Sequence, residues 1–280
     1  MVYTPAHLLE PAMLAELTRQ LGHVAQDTAA YLALERKHFS KTAIEQKGLN
    51  DLVSYVDRTA EEHTIAGLQA LLPDAGFIAE EGTLSKSDGR THPGTGTYWI
   101  IDPLDGTTNF IHGLGIYAVS IGLLHEGTLI AGAVSIPATN EHFLAWTGGG
   151  AWLNGSRISV SPACTFGDSL VATGFPYQRF DKMKEYLAIL EQLMHQTHGL
   201  RRMGSAAVDL AYVAAGRFEG FFEHNLKAWD CAGGIVLVQE AGGIVTDFGG
   251  GTNYLFGGEI VAAGALHAPL QELVWQEWSK

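Results

Sequence analysis

The twelve residues WIIDPLDGTTNF, Trp99 to Phe110, constrain this chain more than any other stretch. Trp99, Ile100 and Ile101 read as a buried strand, and the strand is expected to stop at Asp102-Pro103, because proline has no N–H to give to a ladder. Asp102 and Asp105 stand three residues apart, followed by Gly106, Thr107 and Thr108. No Lys or Arg lies between Trp99 and Leu124, so no near neighbour in sequence neutralises the two acids. A carboxylate at the end of a buried strand is costly unless it is paired or bound to a cation. The fold must therefore bring a counter-charge from a distant segment, or hold a metal ion.

Other acids sit at the ends of apolar elements in the same way. GFIAEEG reads as a short strand that stops at Glu80-Glu81. Asp57 precedes RTAEEHTIAGLQALL, where Ile65, Leu68, Leu71 and Leu72 repeat at helical spacing, so Asp57 is placed as an N-cap. Asp230 is placed as the N-cap of the helix in WDCAGGIVLVQEAGG. Each acid alone is explained by a cap, a turn or a solvated strand end. Together they suggest a site for hard cations such as Mg²⁺, which take carboxylate, carbonyl and water oxygens. DPLD supplies Asp102, Asp105 and the carbonyl of Leu104, and two ions a few ångströms apart can share Asp102. Such a pair clamps a phosphate and activates a water for in-line attack. DGTTNF adds backbone N–H groups and hydroxyls at the start of a short helix, which suits a phosphate oxygen. Thr107 would hold the attacking water, and Asp57 or Glu80 would accept its proton.

Composition narrows the field. A chain of 280 residues with 46% hydrophobic residues has enough apolar surface for a full core. A formal charge of -13 argues against binding a nucleic-acid backbone, which needs Lys/Arg patches. The two cysteines, Cys164 and Cys231, suit free thiols in a reducing cytoplasm better than a disulfide framework. The start, MVYTPAHLLEPAM, lacks the basic and apolar regions of a signal peptide. The longest apolar stretch, YAVSIGLLHEGTLIAGAVSI, is broken by His125 and Glu126 and reads as a hairpin, not a membrane span. The twelve histidines show no HxxxH pair of metal-ligand spacing, and TGGGAWLNG has no GxGxxG opening a helix, so dinucleotide binding is rejected.

Along the chain, about Pro11 to Phe39 reads as a helix, and Leu52-Val53 with Tyr55-Val56 as a short extended piece. TLSKSDGRTHPGTGT is expected to be a mobile surface loop. Hairpins follow the quoted stretch, with a tight turn at Asn154-Gly155. A boundary is placed near Ser161-Pro162, giving an N-terminal α+β half, 1–160, that carries most of the acids. The C-terminal α/β half, 161–280, carries Asp230 and alternates strands and helices: SLVATGF, KMKEYLAILEQLMHQ, AAVDLAYVAAG, FEGFFE, DCAGGIVLVQEAGG, IVTDF, EIVAAG and PLQELVWQEW. The two halves are expected to form one compact unit.

GFIAEEG, WIIDPLDGTTNFIHGLGIYAVSIGL and LKAWDCAGGIVLVQEAGG closely resemble the inositol monophosphatase family, and the likeness runs from about Lys47 to Ala263. The resemblance implies an αβαβα layered sandwich and a Mg²⁺-dependent phosphomonoesterase, often lithium-sensitive and commonly a homodimer, using two or three ions. It implies metal ligands at Glu80, Asp102, the Leu104 carbonyl, Asp105 and Asp230. Thr107 would orient the nucleophilic water with Asp57 and Glu80, and Glu81 would support the ligands. Leu104, Asp105, Gly106, Thr107, Gly204, Ser205, Ala206, Glu223 and Asp230 would contact substrate, with Glu223 and the Gly204–Ala206 segment meeting a sugar alcohol. Lys227 stands where vertebrate inositol enzymes carry His, and Arg201 and Arg202 lie beside the substrate segment. DGTTNF matches the inositol branch better than DGTK-type relatives. The expected activity is hydrolysis of inositol 1-phosphate or a similar small polyol phosphate. Fructose 1,6-bisphosphate, histidinol phosphate or a 3'-phosphonucleotide are alternative substrates, and a catalytically silent binding protein is the alternative of another class.

Overall fold

The computed structural model describes residues 10–39, 44–48, 51–83, 88–176 and 180–280. The chain opens with helix α1 (Pro11–His38) and a small hairpin of β1 (Ile44–Gly48) and β2 (Asp51–Ser54). Helix α2 (Tyr55–Leu71) follows directly. Tyr55 and Val56 are therefore helical, not extended, and Asp57 lies inside the first turn of α2 rather than capping it. An acid there still suits the positive end of the helix.

Strands β3 (Gly76–Ala79), β4 (Thr97–Asp105), β5 (Ala118–His125), β6 (Thr128–Ile136), β7 (Glu141–Trp146), β8 (Gly150–Leu153) and β9 (Ser156–Ile158) form one seven-stranded sheet in chain order. β3 runs parallel to β4, and the rest is an antiparallel meander. Asn154 and Gly155 take φ of 48° and 79°, the left-handed pair that a two-residue hairpin turn needs. Between β4 and β5 comes the short helix α3 (Thr107–His112).

β4 does not stop at Pro103. It continues to Asp105, and its register against β5 shifts: Asp102 faces Ser120, and Asp105 faces Ala118. Three steps on β4 thus match two on β5, the signature of a bulge. A bulge releases Pro103 from donating to the ladder, which is why the strand tolerates it.

The second sheet holds β10 (Leu170–Thr173), β11 (Gly199–Arg201), β12 (Gly220–His224), β13 (Ile244–Thr246) and β14 (Glu259–Ala263), in the order β11-β10-β12-β14-β13. β10 is parallel to β11 and β12, while β14 is antiparallel to β12 and β13. Among the described residues of this region the α-helices are α4 (Met183–Gln196), α5 (Ala206–Ala214), α6 (Ala228–Glu240) and α7 (His267–Trp278). The three-residue β11 was not expected from the sequence, because Gly199-Leu200-Arg201 is too short to show a period.

The elements stack as an αβαβα sandwich, as expected. Helices α1 and α2 cover one face of the seven-stranded sheet through Leu17, Leu21, Leu32 and Leu68 against Trp99, Ile101 and Leu123. Helices α5 and α6 fill the middle layer, with Leu210, Ile235 and Val236 packed between Ile100 and Val134 of one sheet and Phe221 and Ile260 of the other. Helices α4 and α7 close the far side through Ile189, Leu193, Leu270 and Val274. α6 lies almost directly on β5 and β6: a Cβ on Gly233 would come 2.9 Å from the Ala133 carbonyl and 3.0 Å from that of Ile121. This close approach aims the start of α6, and so Asp230, at the end of β4. Among the described residues, no helix is long and apolar enough to cross a membrane.

Candidate active site

The end of β4, the start of α3, the turn before α5, the end of β12 and the start of α6 converge on one pocket of 460 Å³. Glu80, Asp102, Leu104, Asp105, Gly106, Thr107, Gly204, Ser205, Ala206, Glu223 and Asp230 all line it. Asp57 lies behind this lining, buried, and reaches the site through Thr107.

Three carboxylates form the floor. One oxygen of each of Asp102, Asp105 and Asp230 lies within 4.8 Å of those of the other two. Each aspartate is also anchored to the backbone. Asp102 Oδ1 accepts the N–H of Leu104 at 3.0 Å across the bulge. Asp105 Oδ2 accepts the Ser205 hydroxyl and the Ala207 N–H, both at 2.7 Å. Asp230 Oδ2 accepts the N–H of Lys227 at 2.6 Å. Asp230 is thus not the N-cap of α6. The helix begins at Ala228, and Asp230 reaches back from its third position to the capping residue. Anchored this way, the three side chains are held in place before anything binds.

The cluster is electrostatically strained. Burial lifts the Asp102 carboxyl well above its ordinary range, and Glu80, Asp105 and Asp230 push it further. Burial raises Asp105 to about 6 against the bonds from Ser205 and Ala207 and the charge of Arg202. Asp230 is raised to about 7 by burial and by Asp105, despite the bond from Lys227. Two like charges about 5 Å apart repel by roughly 3 kcal/mol at an effective dielectric near 20. A divalent cation relieves this directly. The donors are all oxygen, which fits Mg²⁺ rather than a thiolate- or imidazole-seeking metal. Glu80 faces the same pocket, and its charge acts on Asp102, but it stands outside the tight trio.

A second group sits beside the floor. The Thr107 hydroxyl lies 3.1 Å from both Asp57 Oδ1 and the Leu104 carbonyl, and it can donate to either. The N–H groups at the start of α3 have no partner within their own helix, and Gly106, Thr107 and Thr108 line the pocket. Gly106 is required here: its φ is 95°, and a Cβ would fall 2.9 Å from the Ile116 carbonyl. Asn109 ties α3 to the opposite wall by donating to the carbonyls of Ile116 and Met203, at 2.7 and 2.9 Å.

Several contributors were not found from the sequence. Glu61, fully buried in α2, accepts the N–H of Glu81 at 2.7 Å and both the N–H and the hydroxyl of Thr83, at 2.8 and 2.7 Å. It fixes the turn that carries Glu80. In TAEEHT it looks like one of two solvated helix acids, and nothing in its spacing marks it. Gly174, Phe175 and Pro176 line the pocket after β10, as do Thr108, His224 and Asn225. Arg202 and Lys227 also line it, whereas Arg201 is exposed. Lys227 Nζ donates to the Asp88 carbonyl at 3.0 Å, and Ala228 N–H to that of Gly89 at 2.8 Å. The described part of the polar loop, from Asp88 onward, is thus pinned beside Asp230, while 84–87 fall outside the described residues. His112 is exposed and absent from the lining. Cys231 is buried behind Asp230, and burial raises its thiol well above the usual range, so it is no nucleophile.

The model of the inositol monophosphatase family matches residues 13–279. The chain belongs to this family. Within it, the chain is 44% identical to the Nus factor SuhB of Pseudomonas aeruginosa, over 79% of this chain and 81% of the relative. It is 45% identical to the inositol-1-monophosphatase of Rhizobium meliloti, over 77% and 79%. Among solved structures, the extragenic suppressor protein suhB of Bartonella henselae superposes with a TM-score of 0.83 at 37% identity, covering 91% of this chain and 97% of that one. The Thermotoga maritima IMPase gives 0.79 at 32% identity, covering 91% and 95%. Inositol monophosphatase relatives thus share the whole sandwich and not the site motifs alone.

Proposed function

We propose that this inositol monophosphatase relative is a Mg²⁺-dependent phosphomonoesterase that hydrolyses inositol 1-phosphate or a similar small polyol phosphate. The observation that carries the reading is the trio Asp102, Asp105 and Asp230, brought together beside the Thr107–Asp57 pair. Asp102, Asp105, Asp230, Glu80 and the Leu104 carbonyl would hold the ions. When bound, they would neutralise the phosphate and stabilise the departing alkoxide. The protein's own groups do the rest. N–H groups at the start of α3 orient phosphate oxygens. Thr107 Oγ1, donating its proton to Asp57, turns a lone pair toward the pocket and positions the attacking water. Asp57 takes up the proton through that hydroxyl. Lithium sensitivity and a homodimer belong to the same proposal.

A panel of inositol 1-phosphate, fructose 1,6-bisphosphate, histidinol phosphate and a 3'-phosphonucleotide tests the substrate. The highest kcat/KM is expected for inositol 1-phosphate; a clear preference for any of the others would replace that assignment. Thr107→Ala is expected to lower kcat by roughly 10²-fold with little change in KM, because orienting water matters chiefly in the transition state. Steady-state kinetics decide this, and a rise in KM at unchanged kcat would make Thr107 a binding group only.

A second reading rests on the relatives named Nus factor SuhB or putative Nus factor SuhB, which are 41% to 47% identical to this chain. A Nus-type role would need a surface and none of the acids, so the two readings are separable. Retention of RNA polymerase on the immobilised protein, unchanged in an Asp102→Asn variant, would support it.

A further inference from the structure

The charge of Arg202 acts on Asp105 at the floor of the pocket and on Glu223 at its wall. Arg202 follows β11 and lines the cavity with Glu223, Phe175 and Gly204. Its guanidinium carbon lies 5.2 Å from the centre of the Phe175 ring. Its Nη1 lies 2.7 Å from where a Cβ on Gly204 would stand, so the side chain folds back over that turn. The Glu223 carboxylate is packed the same way against the facing strand end: its oxygens lie 2.1 Å from the place of a Cβ on Gly174. A Cβ at 174 or 204 would push the end of one of these two side chains aside. Arg202 is also the main charge that favours the ionised form of Glu223 against burial. Asp209, fully buried in the first turn of α5, lies within its field as well, and Asp209 Oδ1 has no hydrogen-bond partner.

Resting on the phosphatase reading, we infer that Arg202 is a specificity residue that pairs with Glu223 to recognise two neighbouring hydroxyls of the leaving alcohol. The chemistry is complementary. The Glu223 carboxyl offers acceptor oxygens whether or not it carries its proton, and a guanidinium only donates. A lone hydroxyl satisfies one of the two, while two hydroxyls on adjacent carbons satisfy both, one donating to Glu223 and the other accepting from Arg202. Phe175, itself 40% exposed, offers its ring to the guanidinium as a cation–π neighbour. Sites built on such bonds discriminate strongly, because their polar groups go unpaired when the hydroxyl is missing. The substrate class is then a phosphate ester of a vicinal diol, cyclic or open-chain.

The test compares inositol 1-phosphate with cyclohexyl phosphate, which keeps the ring and lacks the hydroxyls, in the full-length protein with Mg²⁺. Arg202→Ala, Arg202→Lys, Glu223→Gln and the double variant Arg202→Ala/Glu223→Gln are measured, with a melting curve for each. Arg202→Ala is expected to lower kcat/KM for inositol 1-phosphate about tenfold or more and for cyclohexyl phosphate less than threefold. Arg202→Lys, which keeps the charge but loses the planar fork, is expected to fall between. The double variant should lose less than the product of the single losses, because the two groups act as one. Equal losses on both esters, or no loss on either, would overturn the role of Arg202 while leaving the phosphatase reading intact. Wild-type protein inert on every ester would remove the phosphatase reading, and this inference with it.

Discussion

Asp102→Asn is expected to abolish phosphate release, by roughly 10²- to 10³-fold or more, while the protein remains folded. Asp102 is the most buried of the three floor carboxylates and takes repulsion from Glu80, Asp105 and Asp230 at once. An asparagine keeps an oxygen to accept the Leu104 N–H, so the bulge survives. It removes the charge that would hold a cation and the repulsion among the carboxylates when no metal is added. Without metal the variant is therefore expected to melt higher than the wild type, by roughly 2–4 °C, which for a chain of this size is about 1 kcal/mol. With saturating Mg²⁺ the order should reverse, because the wild type gains more from binding. Circular dichroism melts with EDTA and with Mg²⁺ read both signs. Wild-type activity in this variant would remove Asp102 from the metal site. Asp105 is a poorer choice for this test, because its carboxylate also holds Ser205 and the first turn of α5.

The metal-free wild type is expected to lose stability as pH rises from about 5 to 8. In the folded chain Asp105 is raised to about 6, Asp230 to about 7 and Glu223 to about 8, each chiefly by burial. In the unfolded chain these groups titrate near 4. Between those limits the folded state binds more protons than the unfolded state, so unfolding free energy falls with rising pH. The groups face an open pocket, and solvent there reduces the effect to a total on the order of 1–3 kcal/mol. Stability should be highest where the cluster is protonated, and the penalty should be complete only above about pH 9. Saturating Mg²⁺ should flatten or invert the profile, since the ion displaces protons from the same oxygens. Urea denaturation at pH 5.5 and pH 8, with EDTA and with Mg²⁺, gives the four values needed. A flat metal-free profile would mean that the cluster is solvated and not strained.

Much of this site is written in one continuous stretch. The acids of DPLD, the missing bases around them and the hydroxyls of DGTTNF point to an anionic site at a strand end before any coordinates are known. What the stretch hides is how the strand ends. Pro103 reads as a stop, yet β4 runs on to Asp105 through a bulge, and the bulge sets the spacing of Asp102 and Asp105. A bulge depends on the register of the partner strand, which no local pattern records. Asp57 and Asp230 both read as helix caps, but each lies inside a first turn, because Tyr55 and Lys227-Ala228 start their helices earlier than the capping signal suggests. Glu61 and Arg202 illustrate a deeper limit. Each is one of an adjacent like-charged pair, EE and RR, and which member turns inward depends on helix phase or on the Gly204 turn. The layers of the sandwich were legible only through the family likeness. The three-residue β11 was not legible even from that.

The most direct test of the account is phosphate release from inositol 1-phosphate by protein stripped with EDTA and then titrated with Mg²⁺. The trio of Asp102, Asp105 and Asp230 predicts no release above background from the stripped protein. It predicts recovery that saturates with Mg²⁺, and no recovery at any concentration in Asp102→Asn. Release that persists undiminished in EDTA, or that returns equally in the variant, would contradict the claim that this cluster holds the catalytic ions.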